Sequence, residues 1–169
     1  MTIIQFLQIL HDSEFGTSVR ESLYLFPLLE GIHLIGLALS LGLIIATDLR
    51  LIGVFLKQVP VNEVLHNFRP YVLVGFLITF VTGIILLWAE GPRIWEIPVF
   101  PLKLALIVVA GFNALWFELK FGRTVQVWGQ QAQFPAGAKL AGWVSLISWS
   151  GVVILGRLIP YLEATQSRF

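Results

Sequence analysis

Apolar positions in this chain fall in long unbroken runs, separated by short polar stretches that hold most of the charges. Four runs stand out, at about residues 23–46, 71–89, 102–117 and 141–159. Each is near the roughly 20 residues that carry an α-helix across ~30 Å of hydrocarbon. None alternates with period two, which excludes the lipid-facing strands of a membrane β-barrel. Pro27, Pro70 and Pro101 fall at or just before the expected helix starts, and Pro160 falls where the last run closes. Upstream, Ile3, Leu7 and Leu10 share one helical face, which predicts a short helix over Thr2 to Leu10 lying on the bilayer surface. A cleavable signal peptide is not expected there, because a basic leader is missing and Gln5 and Gln8 interrupt the apolar stretch.

The pattern predicts an all-α fold: an integral-membrane four-helix antiparallel bundle with a short N-terminal interfacial helix. Residues 1–169 then form a single transmembrane domain whose short connections favour up-down-up-down neighbours. Composition strengthens this reading. Hydrophobic residues make up 57% of the chain and charged ones 12%, against roughly 45–50% and about 25% in soluble domains. A chain this short cannot hide so much apolar area in one core, so the solvent must be lipid. A net charge of +1 without a basic stripe excludes a nucleic-acid partner, and the absence of cysteine excludes disulfides and thiolate metal sites.

Basic residues in short loops orient such a bundle. Arg50, Lys57, Arg69, Lys120, Arg123 and Lys139 lie on one side; Arg20, Arg93, Lys103, Arg157 and Arg168 lie on the other. The bias predicts that both termini and the Glu90 to Pro101 loop lie outside the cytoplasm. Helices in lipid associate through close packing and interhelical hydrogen bonds, so small residues should mark their contacts. Gly31, Gly42 and Gly53 form one stripe, Gly75, Thr79 and Gly83 a second, and Gly142, Ser145, Trp149 and Gly156 a third. Trp88, Trp95, Trp116, Trp128 and Tyr161 fit an aromatic belt, whereas Asp48 is expected to pair with a loop cation such as Arg69.

An ionisable group inside a span costs about 2.5–3.5 kcal/mol at mid-helix, so each one calls for a partner or a task. Glu30 and His33 stand three apart in the first span, with Ser40 and Thr47 continuing their stripe. Lys103 enters the third span from the same side, and Asn113 shares its face three turns deeper. The economical arrangement is a Glu30–Lys103 ion pair with His33 and Asn113 beneath it. Glu-x-x-His is also the spacing of carboxylate-bridged metal bundles, but those need two copies and further carboxylates, and this chain has one. Glu30 and His33 are the candidate metal ligands, with a hydrogen-bonded structural role or a proton relay the alternatives for His33.

Haem b is the second possible occupant. His33 is the one histidine inside a span, Met1 is the one methionine, and His66 lies at the opposite membrane face. Two axial ligands then require a homodimer with one His33 from each chain, or the iron keeps an open position. Lys103, Arg157 and Arg93 are placed to meet the propionates, and Asn113 completes the expected cofactor contacts. No nucleophile–base pair and no phosphate loop points to an enzyme.

Glu30-x-x-His33-x-x-Gly36, Asp48-Leu49-Arg50-Leu51-x-Gly53, Pro70, Thr82-Gly83, Phe100-x-x-Lys103 and Asn113 together resemble a group of uncharacterised bacterial four-span membrane proteins. More distantly, the His33 helix and the Phe100 to Lys103 entry are similar to the membrane domain of copper-resistance D proteins. That likeness implies movement of copper across the inner membrane. The leading expectation is a polytopic protein that binds or passes a small cation, with copper ion the one the resemblance implies, at a polar cluster in the outer half of the bundle. The alternatives are electron transfer through haem b and a non-catalytic accessory subunit that binds another membrane protein.

Overall fold

The computed structural model describes residues 1–131 and 134–166. Its helices are α1 (Ile3–His11), α2 (Glu14–Glu21), α3 (Leu25–Ile52), α4 (Val61–Trp95), α5 (Val99–Lys120), α6 (Val125–Trp128) and α7 (Ala136–Gln166), with a 3₁₀ turn at Gly122–Thr124. Among the described residues there is no strand. Four helices, α3, α4, α5 and α7, are long and apolar enough to span a membrane. Leu34, Ile35, Leu77, Phe80, Phe112 and Ile147 remain 59–69% exposed on their outer surfaces. Apolar surface on that scale needs acyl chains against it, and the protein is a multi-pass membrane protein.

The helices outrun the apolar runs that predicted them, because hydropathy marks the lipid-embedded length and not where hydrogen bonding stops. Pro60 opens α4, so Pro70 lies inside that helix, as do Pro92 in α4 and Pro160 in α7. An internal proline removes one N–H from the ladder but need not end a membrane helix whose neighbours hold it. The Glu90 to Pro101 segment, expected as a loop, is helical through Trp95, and the turn to α5 is short.

At the N-terminus the expected helix forms, opened by a capping box between Thr2 and Gln5. It packs on α4, where Leu7 is buried against Gly91: a Cβ there would lie 2.9 Å from Leu7 Cδ2. The second short helix, α2, was not expected. Its polar sequence carries no span signal, and it is held by Ser13, which caps it and accepts a hydrogen bond from Trp88 Nε1 at 3.0 Å.

Within the bundle α3 packs against both α4 and α7, and α5 against α7, whereas α4 and α5 barely touch. The starts of α3 and α5 share one end with α1 and α2, called here the N-terminal face; the α3–α4 and α5–α7 connections form the opposite, loop face. Leu41, Ala110, Trp149 and Val152 fill the middle, with Phe76 set against Trp149 at 5.2 Å between ring centroids. A second core caps the loop face, built from Leu51, Val61, Val125, Trp128 and Ala138. Trp128 belongs to that core and not to an interfacial belt, since it is buried and its Nε1 donates to the Phe121 carbonyl at 3.0 Å.

The α3–α4 connection doubles back sharply. Gly53 ends α3 with φ +88°, a left-handed conformation that disfavours a Cβ. Gly53→Ala is expected to cost about 1–2 kcal/mol, read as earlier thermal unfolding in detergent; an unchanged transition would show that the turn relaxes without strain.

Candidate functional site

α3 and α4 meet backbone to backbone along Gly36, Ser40, Gly75 and Thr79. A Cβ on Gly75 would stand 2.8 Å from the Ser40 nitrogen and 2.9 Å from the Gly36 oxygen. Ser40 Oγ donates to the Gly36 carbonyl at 2.9 Å and Thr79 Oγ1 to the Gly75 carbonyl at 2.8 Å, so neither hydroxyl is left unsatisfied. This close approach sets the register of everything nearer the N-terminal face.

One step along the same seam, His33 of α3 lies against Thr82 and Gly83 of α4. His33 Nδ1 is 2.9 Å from Thr82 Oγ1. Thr82 has one hydroxyl proton, which is committed to the Ile78 carbonyl at 2.6 Å. With that proton on the Ile78 carbonyl, the hydroxyl is assigned as acceptor from Nδ1–H, and the neutral imidazole of that tautomer carries its lone pair on Nε2. The Thr79 carbonyl faces the ring as a further acceptor. Gly83 supplies the space, since a Cβ there would come 3.1 Å from the His33 Cε1 atom.

Lys103 is half-buried at the start of α5 and crosses to α7, with its Nζ 3.4 Å from where a Cβ on Gly156 would stand. Lys103 and Glu30 are the charged side chains expected around the imidazole. They do not form the expected ion pair with each other. Glu30 is exposed one turn before His33, and the ion pairs among the described residues are Arg69–Glu118 at 2.6 Å and Arg93–Glu90 at 3.6 Å. The ammonium reaches the α5–α7 interface while the carboxylate turns outward, because α3 and α5 are held apart by α7.

Asn113 does not join this cluster. It lies about 15 Å along α5 from Lys103 and donates through Nδ2 to the Ala141 carbonyl at 2.9 Å, tying α5 to the start of α7. Arg157 is exposed and turned along its own helix, with its guanidinium over the Tyr161 ring at 5.4 Å and an Nη2 contact to the phenol oxygen at 3.3 Å. Asp48 is not paired with Arg69, which is taken by Glu118. It is 6% exposed, faces the Ser145 hydroxyl, and leaves Oδ2 without a hydrogen-bond partner. Of the anticipated residues, then, Glu30 and His33 stand one turn apart on α3, Lys103 lies beside Gly156 of α7, and Asn113 and Arg157 are elsewhere.

Among the described residues no three His, Cys, Asp or Glu side chains gather closely enough to cage a metal. The chemistry on offer is one imidazole nitrogen of fixed tautomer, one nearby carboxylate and one ammonium. Thr82 and Gly83, which shape the imidazole, were legible only as members of a motif and a small-residue stripe. Comparison with protein-family models, with curated proteins and with solved structures gives no match.

Proposed function

We propose that this multi-pass protein sits in a bacterial inner membrane with both termini periplasmic, and that it binds or passes a small metal cation, copper being the leading candidate, through His33. The observation that carries the proposal is the 2.9 Å contact between His33 Nδ1 and Thr82 Oγ1, which, with Nδ1 as the donor, presents Nε2 as a ligand. Histidine ligands of metals characteristically donate the other ring nitrogen to an oxygen acceptor, which fixes ring orientation and raises basicity. Glu30, one turn away and exposed, is the second ligand on this reading, reaching the metal by a change of rotamer. A site with so few ligands favours transfer over storage. Lys103 opposes a resident cation, so the ion passes against a standing positive charge and is not trapped.

Titration of the purified protein in nanodiscs with Cu(I), Cu(II) and Zn(II) tests this. Saturable binding of at least one ion is expected, weakened at least tenfold by His33→Ala. Binding that is absent, or equal in the variant, removes the proposal.

The half-buried Lys103 ammonium, with no carboxylate at ion-pair distance among the described residues, favours a second reading. It suits a haem propionate, and His33 Nε2 suits the iron. Each chain supplies one such pair, so two axial histidines require a homodimer. A Soret band in the purified protein that disappears in His33→Ala would establish this reading; its absence from protein purified after haem supplementation would discard it.

A further inference from the structure

The loop face holds a cavity that plays no part in the His33 site. It measures about 240 Å³, and Arg50, Lys57, Gln131, Phe134 and Lys139 are among its walls. A neighbouring hollow of about 310 Å³ shares Arg50, Lys57 and Gln131. Among the described residues, neither has an acidic side chain in its lining.

Arg50 is the built element. The residue is only 7% exposed. Its Nε donates to the Val59 carbonyl at 2.7 Å, and the Phe134 ring covers one face of the guanidinium at 4.7 Å. The turn that brings Val59 back beneath α3 is made at Gly53, φ +88°, where glycine carries no steric cost, and passes through Leu56 at φ +49°. The Nη groups have no hydrogen-bond acceptor among the described residues, and Arg50 lines the cavity. Lys57 and Lys139 are exposed and add two cations to the lining. A buried guanidinium with unfilled donors, clamped on one edge and one face, is a planar fork aimed at an anion.

We propose that this cavity is a binding site for a phosphate group, with Arg50 as the fixed fork and Lys57 and Lys139 as flanking charges. It lies where α3 leaves the apolar region, at the level of lipid headgroups, and basic pockets at that depth bind anionic headgroups. The same chemistry would accept a free phosphate from the aqueous side. The inference is independent of His33.

Native mass spectrometry of the detergent-solubilised protein with phosphatidylglycerol against phosphatidylcholine provides one arm. Thermal unfolding in inorganic phosphate against chloride at matched ionic strength provides the other. Arg50→Gln is the direct variant, and Lys57→Gln/Lys139→Gln alters only exposed side chains, so it keeps the test open if the first fails to fold. At least a tenfold preference for phosphatidylglycerol, lost in the double variant, establishes a lipid headgroup site. Stabilisation specific to phosphate and lost in the double variant, without a lipid preference, establishes a soluble phosphate ligand. Neither response in the unaltered protein, or either one persisting undiminished in the double variant, overturns the proposal.

Discussion

Gly75→Ile is expected to separate α3 from α4 and destabilise the protein by about 3 kcal/mol, at the top of the range for overpacking a close contact. The reason lies in what the new side chain meets. Its Cβ alone would stand 2.8 Å from the Ser40 nitrogen, 2.9 Å from the Gly36 oxygen and 3.0 Å from the Ser40 Cβ. None of these atoms can rotate away, so relief requires moving one helix off the other. That movement forfeits the dispersion contacts that hold helices together in lipid, where apolar burial supplies no driving force between them. Gly42→Ile supplies the control, because a Cβ at Gly42 meets nothing within 4 Å and the same side chain points outward there. Unfolding in detergent should set the two far apart, with Gly42→Ile within about 0.5 kcal/mol of the unaltered protein, as surface substitutions usually are. Equal stabilities would mean that the backbones are not in tight contact at Gly75.

The same glycines mark where sequence reasoning succeeded and where it stopped. The stripe of Gly75, Thr79 and Gly83 does face α3: Gly75 meets Gly36 and Ser40, and Gly83 meets His33. The stripe on α7 is used as well, with Gly142 against α3, Trp149 in the core and Gly156 beneath Lys103. The stripe of Gly31, Gly42 and Gly53 is not. Gly31 and Gly42 face open space, and Gly53 serves as the left-handed cap. α3 is apolar on every side, so its sequence does not distinguish the face that meets protein from the face that meets lipid, and the contact fell to Gly36 and Ser40 instead.

The charged residues show a similar division. Depth along each helix follows from counting, which is why Glu30 and Lys103 were expected at one level with His33 beneath them. Azimuth does not, and azimuth decided that Glu30 turns outward and that Arg69 meets Glu118. Asn113 was misassigned because sharing a helix face with Lys103 does not bring together groups ten residues apart. The basic cavity was visible only as loop cations consistent with orientation. That Arg50 is buried and clamped depends on how the Gly53 turn folds, which is a tertiary property.

Thr82→Val should separate orientation of the imidazole from its presence. Valine keeps the volume and branching of threonine but removes the acceptor for His33 Nδ1–H, while the hydroxyl's own bond to the Ile78 carbonyl disappears with it. Loss of an oxygen that orients a metal-ligating histidine costs about 10–100-fold in affinity. The Thr79 carbonyl remains beside the ring as a substitute acceptor, so the expected loss is near tenfold, smaller than that of His33→Ala. Nitrogen NMR of labelled histidine gives a readout that does not depend on the metal. In the unaltered protein His33 should show a protonated Nδ1 and a pyridine-type Nε2, and in Thr82→Val a mixture of the two tautomers. Gly83→Val acts from the other side by filling the space 3.1 Å from Cε1, and should displace the ring while leaving both of its hydrogen-bond acceptors in place. If metal affinity survives both substitutions, the ligand is not a histidine oriented between α3 and α4. If Thr82→Val shifts the tautomer without changing affinity, the Thr82 bond is structural and the metal is held by other residues.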